Sequence, residues 1–457
     1  MAPVNPLTAS TLQALRQRGG LASAAELQAA LGVSQPTVSR ALAPLIQSGQ
    51  VLKVGSTRQQ RYVVPRTVAG VGQAVPVMRV DAHGQPSVFA RMVLLESGGV
   101  WMDEATGVSR KHDGLPWFLD DMRPQGFIGR TFAHDHPELQ LNNDPRYWND
   151  DDVLRALTLF GDDLLGNLIV GDTAFARFHT LPERASHATS EADYPALADQ
   201  AMQGTVGGSS AGGEQPKFCT IRNGHHVLVK FSTAGDSPTD QRTRDLLVCE
   251  HLALQTLAAA DVPAAQTQLF TVAGRVFLES VRFDRPALDA GNPRGLGRLG
   301  MVSLRVYDAE YVGKEDNWAF TAMRMRDRNL LSTDDASLLC FLEAFGILIA
   351  NSDRHYGNIS LLRHSINSTT KSNAHWKISP TYDMLPMLYA PIGVELVQRD
   401  FAVTNGVTTK PQPTPATLPE WPRALALAIQ FWQTAAADTR ISAEFRKIAA
   451  DNALKLT

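Results

Sequence analysis

At 457 residues, 44% hydrophobic and 19% charged, the chain has the composition of a globular protein and is too long for one core. It has no apolar N-terminal signal region and no uninterrupted run of about 18 apolar residues, so no membrane partner is expected and a cytoplasmic location is. Three widely spaced cysteines, Cys219, Cys249 and Cys340, give neither a disulfide framework nor a metal-ligand spacing. The net charge of −3 is uneven, because residues 1–66 carry seven Lys/Arg against the single acid Glu26, a net of +6 that leaves −9 for the rest. That asymmetry points to an anion-binding N-terminus, nucleic acid above all.

Residues 1–66 read as a winged helix-turn-helix. A first helix carries Leu12 and Leu15, and Ser23-Ala24-Ala25-Glu26 makes a capping box for a second with Leu27 and Leu31. After a Gly32-Val33 turn, Ser34 is expected to cap a third helix, with Pro36 in its first turn, where a missing N–H costs nothing. Val38, Leu42, Leu45 and Ile46 face inward on this helix and leave Gln35, Thr37, Ser39 and Arg40 outward. Those side-chain types reach phosphates and base edges in a major groove. Strands around Lys53 and Arg61, with Arg58 between them, complete a wing. The segment resembles the DNA-binding module of bacterial transcription regulators. A small helical interaction domain is the plainer alternative.

Residues 67–185 read as strands and short helices with no catalytic spacing, and 186–206, polar and small, as a linker. A Gly-rich loop follows, Gly207-Gly208-Ser209-Ser210-Ala211-Gly212-Gly213-Glu214-Gln215-Pro216-Lys217. Its glycines let backbone N–H groups approach a phosphate, although it is no Walker A sequence. Val227-Leu228-Val229-Lys230-Phe231 is a strand bearing a lysine. In the next helix Glu250 lies on the apolar stripe of Leu247, Leu254 and Leu257. A carboxylate there needs a partner, since an unpaired buried charge is very costly. Lys230 is the candidate, as in the ion pair that positions ATP phosphates in kinases. Backbone groups from Glu279 to Val281 are placed to meet adenine, while Asp284 and Arg285 read as a structural ion pair.

The most telling stretch is Asn351-Ser352-Asp353-Arg354-His355-Tyr356-Gly357-Asn358, delivered by an all-round apolar helix and followed by Tyr382-Asp383. An Asp, an Asn five residues on, and a second Asp past a hairpin match the needs of phosphoryl transfer from ATP. Asp353 takes or orients the acceptor proton, and Asn358 and Asp383 hold Mg²⁺. His355 orients Asp353, meets substrate or merely packs the loop.

These motifs together resemble the HipA family of bacterial serine/threonine protein kinases, toxins of persistence modules. The likeness rests on Ser210 through Lys217, Val229-Lys230, Arg282-Phe283-Asp284-Arg285, Asp353 through Asn358, Tyr382-Asp383 and Leu115-Pro116-Trp117-Phe118-Leu119-Asp120-Asp121. After the winged helix-turn-helix (1–66), it implies a HipA-like N-terminal subdomain (67–185), the whole a multidomain α+β chain. A two-lobed kinase fold completes it, with a mixed N-lobe (186–285) and a mostly helical C-lobe (286–457). It further implies ATP and Mg²⁺ as cofactors, with Ser209, Ser210, Ala211, Gly212, Gly213, Lys217, Lys230, Glu250 and His355 at the nucleotide. Ser210, or Ser209 beside it, would be the site of an inactivating autophosphorylation. The protein substrate would be an aminoacyl-tRNA synthetase or another translation factor. Family members usually pair with a separate DNA-binding antitoxin; this chain carries its own winged helix, like the fused YjjJ subgroup, which counts against a separate antitoxin. The alternative is a transcription regulator using a catalytically silent kinase fold as nucleotide sensor. A small-molecule or lipid kinase is a further rival.

Overall fold

The computed structural model describes residues 5–56, 60–203, 215–363, 376–401, 403–404, 407–408 and 410–457. They form a mixed α+β chain in two compact units. Met1–Val80, Gln85–Arg123 and Arg146–Leu181 make the first; Asp81–Gly84, Pro124–Pro145 and Pro182–Thr457 make the second. Among the described residues no helix is long and apolar enough to cross a membrane.

The first unit begins with α1 (Pro6–Gln17), β1 (Leu21–Ala22), α2 (Ala24–Leu31), α3 (Gln35–Gln47), β2 (Leu52–Val54) and β3 (Arg61–Val63), the strands in the order β1-β3-β2. Leu15, Leu27, Val38, Leu42 and Leu45 close a core between the helices. The capping box at α2 is present, with the Glu26 carboxylate accepting from Ser23 N–H at 2.6 Å. Ser34 corrects its expectation. It occupies the N-cap of α3, but its hydroxyl bonds the Thr37 hydroxyl at 2.9 Å and makes no bond to the helix backbone.

A five-stranded antiparallel sheet follows, built from β4 (Ala74–Val80), β5 (Pro86–Leu94), β6 (Val100–Glu104), β7 (Ser109–His112) and, after a gap, β8 (Leu168–Val170), in the order β7-β6-β5-β4-β8. A 3-10 helix (Trp117–Met122) succeeds β7; α4 (Gly126–Asp135) lies in the second unit, and α5 (Asp150–Phe160) and α6 (Asp172–His179) flank β8 in sequence. The N-terminal segment is built into this sheet. Val54 and Val63 pack with Val93, Leu95 and Trp101, and Glu96 N–H donates to Val64 O at 2.9 Å. Asp103 Oδ1 accepts from Gly55 N–H (2.9 Å), the Trp101 indole (2.8 Å) and the Ser109 hydroxyl (2.7 Å). The exposed Arg16–Glu96 pair adds little beside these, since surface ion pairs contribute about 0–1 kcal/mol.

After the single turn α7 (Leu181–Arg184), the expected linker proves to be structure over its described residues, 186–203. Ser186 and Ala188 exchange backbone hydrogen bonds with Ile221, and 194–203 form α8 (Tyr194–Gln203). Tyr194, Ala198 and Ala201 are buried against Phe218, Val227, Val229, Phe231 and Phe277. These belong to an antiparallel sheet of β9 (Lys217–Arg222), β10 (His225–Phe231), β11 (Thr267–Val272) and β12 (Arg275–Val281), ordered β11-β12-β10-β9. Between β10 and β11 runs α9 (Pro238–Ala259), opened by a Ser237/Asp240 capping box.

The remainder is mostly helical. It includes β13 (Gly300–Ser303), α10 (Leu304–Tyr311), α11 (Trp318–Asp327), α12 (Thr333–Leu348), β14 (Ser360–Arg363), β15 (Lys377–Ile378), α13 (Trp421–Ala437) and α14 (Ala443–Leu456). α12 is buried nearly all round, as its composition requires. β14 pairs with β15 in the expected hairpin, and β13 adds a third strand the sequence reading lacks.

Because Asp103 serves three donors, Asp103→Ala should lower stability by about 1–3 kcal/mol, the cost of leaving such groups without a partner. A denaturant titration checks this; an unchanged midpoint would show that the clamp carries no weight.

Candidate active site

In β10, Val227, Val229 and Phe231 turn into the α8 core, and strand alternation sends Lys230 to the opposite face. There α9 presents Glu250 on its apolar stripe. Lys230 Nζ donates to both Glu250 oxygens, at 2.7 and 2.8 Å, and also to Asp383 Oδ1. Burial pushes the Glu250 carboxyl up, and the nearby Asp383 charge adds to this against the pull of Lys230. Burial also acts on Asp383, but Lys230 and Lys217 outweigh it and hold that carboxyl below its usual range. For Lys230, burial opposes the charge and the two carboxylates more than restore it.

Asp383 reaches this position through its backbone. It adopts φ 53°, a left-handed conformation that Asp tolerates better than most residues. The preceding Thr381 is pinned to the segment after α9, donating to Pro263 O at 2.8 Å and accepting from Ala265 N–H at 2.9 Å. Tyr382 fixes the loop on its other side, with its hydroxyl 2.7 Å from Ser360 Oγ and 3.1 Å from Gly357 O.

Asp353 follows the end of α12. The fully buried Asn351 accepts from Asp353 N–H at 3.0 Å, and Asn358 Nδ2 donates to Asp353 O at 2.8 Å. Arg354 folds back over α12, its Nε donating to the buried Glu343 at 3.0 Å. Gly346 makes room for it; a Cβ there would lie 2.5 Å from Arg354 Cδ. His355 Nδ1 accepts from Gly357 N–H at 3.0 Å, and its Nε2 stands 3.8 Å from Asp353 Oδ1, beyond hydrogen-bond range.

The structure thus gathers Lys217, Lys230, Glu250, Asp353, His355, Asn358 and Asp383 around one cavity of about 680 Å³. Thr239 and Thr243 of α9 also line it; nothing in their local sequence marked them. Glu279 and Val281, expected at adenine, are not among its lining residues. β12 is an internal strand, so the Val281 N–H is spent on Gln266 O at 2.9 Å, and the Glu279 carboxylate accepts from Tyr194 and Arg222 on the face away from Lys230. Ser209, Ser210, Ala211, Gly212 and Gly213 lie outside the described residues, as does Arg58. In the first unit, Gln35, Ser39 and Arg40 are exposed on α3 with Thr37 half-buried beside them, Lys53 is exposed on β2, and Arg61 is half-buried on β3.

No cluster of three His, Cys, Asp or Glu suited to a metal occurs among the described residues. The donor set still fits Mg²⁺, which is ordinarily held by one or two carboxylates plus substrate phosphates and water, with no all-protein cage. Asp383 and Asn358 would supply such a partial set, and Lys217 and Lys230 line the same cavity as cations.

Asp284 stands apart as structure. It is buried and accepts from Arg282 (2.9 and 3.0 Å) and Arg285 (2.7 Å). Burial would raise its pKa, but Arg282 and Arg285 prevail and hold it well below the usual carboxylate range. A carboxyl depressed in the folded state stabilises above its unfolded pKa of about 3.9, and loses that contribution as pH falls toward the folded value. Asp284→Asn should therefore cost about 3–5 kcal/mol at neutral pH, the usual penalty for breaking a buried pair. The gap to the parent protein should narrow below about pH 4. Denaturant melts across pH test it, and a gap constant down to pH 2 would contradict it.

The family model described as the YjjJ-like toxin, middle domain, matches residues 71–179, and the HipA-like C-terminal domain matches residues 209–455. The toxin YjjJ of Escherichia coli (strain K12) is 36% identical over 439 residues, covering 94% of each chain. Among solved structures, a chain of the Shewanella oneidensis MR-1 HipA, HipB and operator DNA complex aligns at TM-score 0.49 and 12% identity, over 83% of this chain and 95% of that one. The Helicobacter pylori proinflammatory kinase CtkA aligns at TM-score 0.35 and 13% identity, over 52% of this chain and 89% of that one. The chain belongs to the HipA family, in its branch of YjjJ-like toxins.

Proposed function

We propose that the chain is an ATP-dependent serine/threonine protein kinase of the HipA toxin type with its own DNA-binding domain. The observation that carries this is the convergence of Lys230, Glu250 and Asp383 with Asp353 and Asn358 on a single cavity. Bound ATP supplies the phosphoryl group, and Mg²⁺ neutralises its charge. Lys230, oriented by Glu250, and Lys217 would hold the phosphates; Asp383 and Asn358 would hold the metal. Asp353 accepts the proton of the acceptor hydroxyl as that oxygen bonds to the γ-phosphorus and the bond to the bridging oxygen of ADP breaks. The loop is held mainly through its backbone, by Asn351 on the Asp353 N–H and Asn358 on its carbonyl, while the carboxylate takes one long contact, from Asn358 Nδ2 to Oδ2 at 3.4 Å. Most of the rate then comes from positioning and charge neutralisation.

Ser210, with Ser209 as its neighbour, is the proposed autophosphorylation site. Proteins of the translation apparatus, aminoacyl-tRNA synthetases first, are the proposed targets in trans. The order helix, strand, helix, helix, strand, strand in 6–63, and the exposed Gln35, Ser39, Arg40 and Lys53, support a winged helix that binds DNA, in place of a separate DNA-binding antitoxin.

Incubation with ATP and Mg²⁺, followed by intact-mass and peptide mass spectrometry, should show one added phosphate at Ser210 or Ser209. Asp353→Asn should slow transfer by about 10²–10⁴-fold, the usual contribution of a positioned general base. Transfer at the parent rate in that variant would remove Asp353 from the chemistry. ATP binding without transfer to itself or to synthetases would favour a nucleotide-sensing regulator.

A further inference from the structure

The middle sheet presents a charge at the edge of the N-terminal segment. Asp103 of β6 holds the turn after β2 through Gly55 N–H at 2.9 Å, and Arg91 of β5 stands directly opposite Asp103. Directly opposed residues of an antiparallel pair project from the same face of the sheet. That face is the one on which Val93 and Trp101, two residues from Arg91 and Asp103, pack against Val54 and Val63. Arg91 is therefore one strand away from the residue that grips the turn. Arg61, paired with Val54, and the exposed Lys53 lie on the strands flanking that same turn.

Arg91 is exposed and, although opposite a carboxylate, forms no ion pair among the described residues. Asp103 is committed to its three donors, and Glu96 is held by Arg16. The next acid, Glu104, alternates to the other face of β6. A cation left unpaired near strands that carry Lys53 and Arg61, on a sheet that shares a core with those strands, fits a polyanion backbone.

We propose that Arg91 contacts a DNA phosphate, so that the DNA-binding surface extends from the N-terminal segment onto the middle sheet. This rests on the DNA-binding reading above and adds to it that the N-terminal segment does not bind alone. Each phosphate neutralised steepens the fall of log K with log salt by about 0.9.

The test is fluorescence anisotropy of the full chain with a short labelled mixed-sequence duplex, from about 50 to about 200 mM salt. Arg91→Ala should flatten the slope by about 0.9, and Arg91→Lys should restore it. Arg110→Ala, on the opposite face of the same sheet, should leave it unchanged. A slope and affinity unaltered in Arg91→Ala, while Arg40→Ala weakens binding, would overturn the proposal and leave the DNA reading standing. Equal flattening by Arg110→Ala would overturn it too, showing a dependence on net charge alone. If the parent chain binds the duplex with no salt dependence, the DNA reading fails and this extension with it.

Discussion

Lys230 joins three parts of the second unit through one ammonium group. It belongs to the sheet, its first partner Glu250 belongs to α9, and its second, Asp383, belongs to a loop of the helical half. Lys230 and Glu250 are buried and Asp383 is half-buried, and a charge held away from water without a partner is very costly. Deleting Lys230 leaves both carboxylates uncompensated, a loss that commonly exceeds the net worth of the pair itself. The geometry around the cavity therefore rests on keeping β10, α9 and the Asp383 loop together.

Further restraints hold α9 in register. The buried Arg242 donates to Tyr389 O at 3.1 Å and to Glu444 at 3.0 Å, and its guanidinium lies 5.0 Å from the Phe445 ring centroid. The buried Asp245 accepts from Ser442 N–H at 2.8 Å and from its hydroxyl at 2.6 Å, supplementing the N-cap of α14. Glu250 is thus presented by a helix tied at its N-terminal half to the last helix of the chain. The Asp353 loop is held in a comparable way by Glu343 and Arg354. In both places buried polar groups fix a side chain that itself stays open to the cavity.

Which residues meet at the cavity was largely legible in the sequence; the assembly of sheets was less so. Asp353, Asn358 and Asp383 could be singled out because their spacing within short loops carries the signal, and Glu250 because a carboxylate interrupts an apolar stripe. α8 was hidden, since its buried face consists of Tyr194 and two alanines among polar neighbours. That Glu279 and Val281 do not line the cavity has a different reason. Periodicity reveals a strand but not whether it lies at an edge, and β12 has neighbours on both sides that consume its backbone groups. β13, four residues long, offers too little pattern to read alone. Ser34 shows the same limit on a smaller scale, for composition identified the N-cap but not the hydroxyl's choice of Thr37.

In the first unit the N-terminal segment and the middle sheet share a core through Val54, Val63, Val93 and Trp101. For the second unit, the central claim is that the cavity beneath Lys230 takes ATP with Mg²⁺ at Asp383. Isothermal titration of ATP with and without Mg²⁺, on the parent protein and on Asp383→Asn, tests it most directly. The account predicts that Mg²⁺ tightens ATP binding in the parent and loses that effect in the variant. ATP affinity indifferent to Mg²⁺ in the parent, or a Mg²⁺ effect intact in Asp383→Asn, would contradict it.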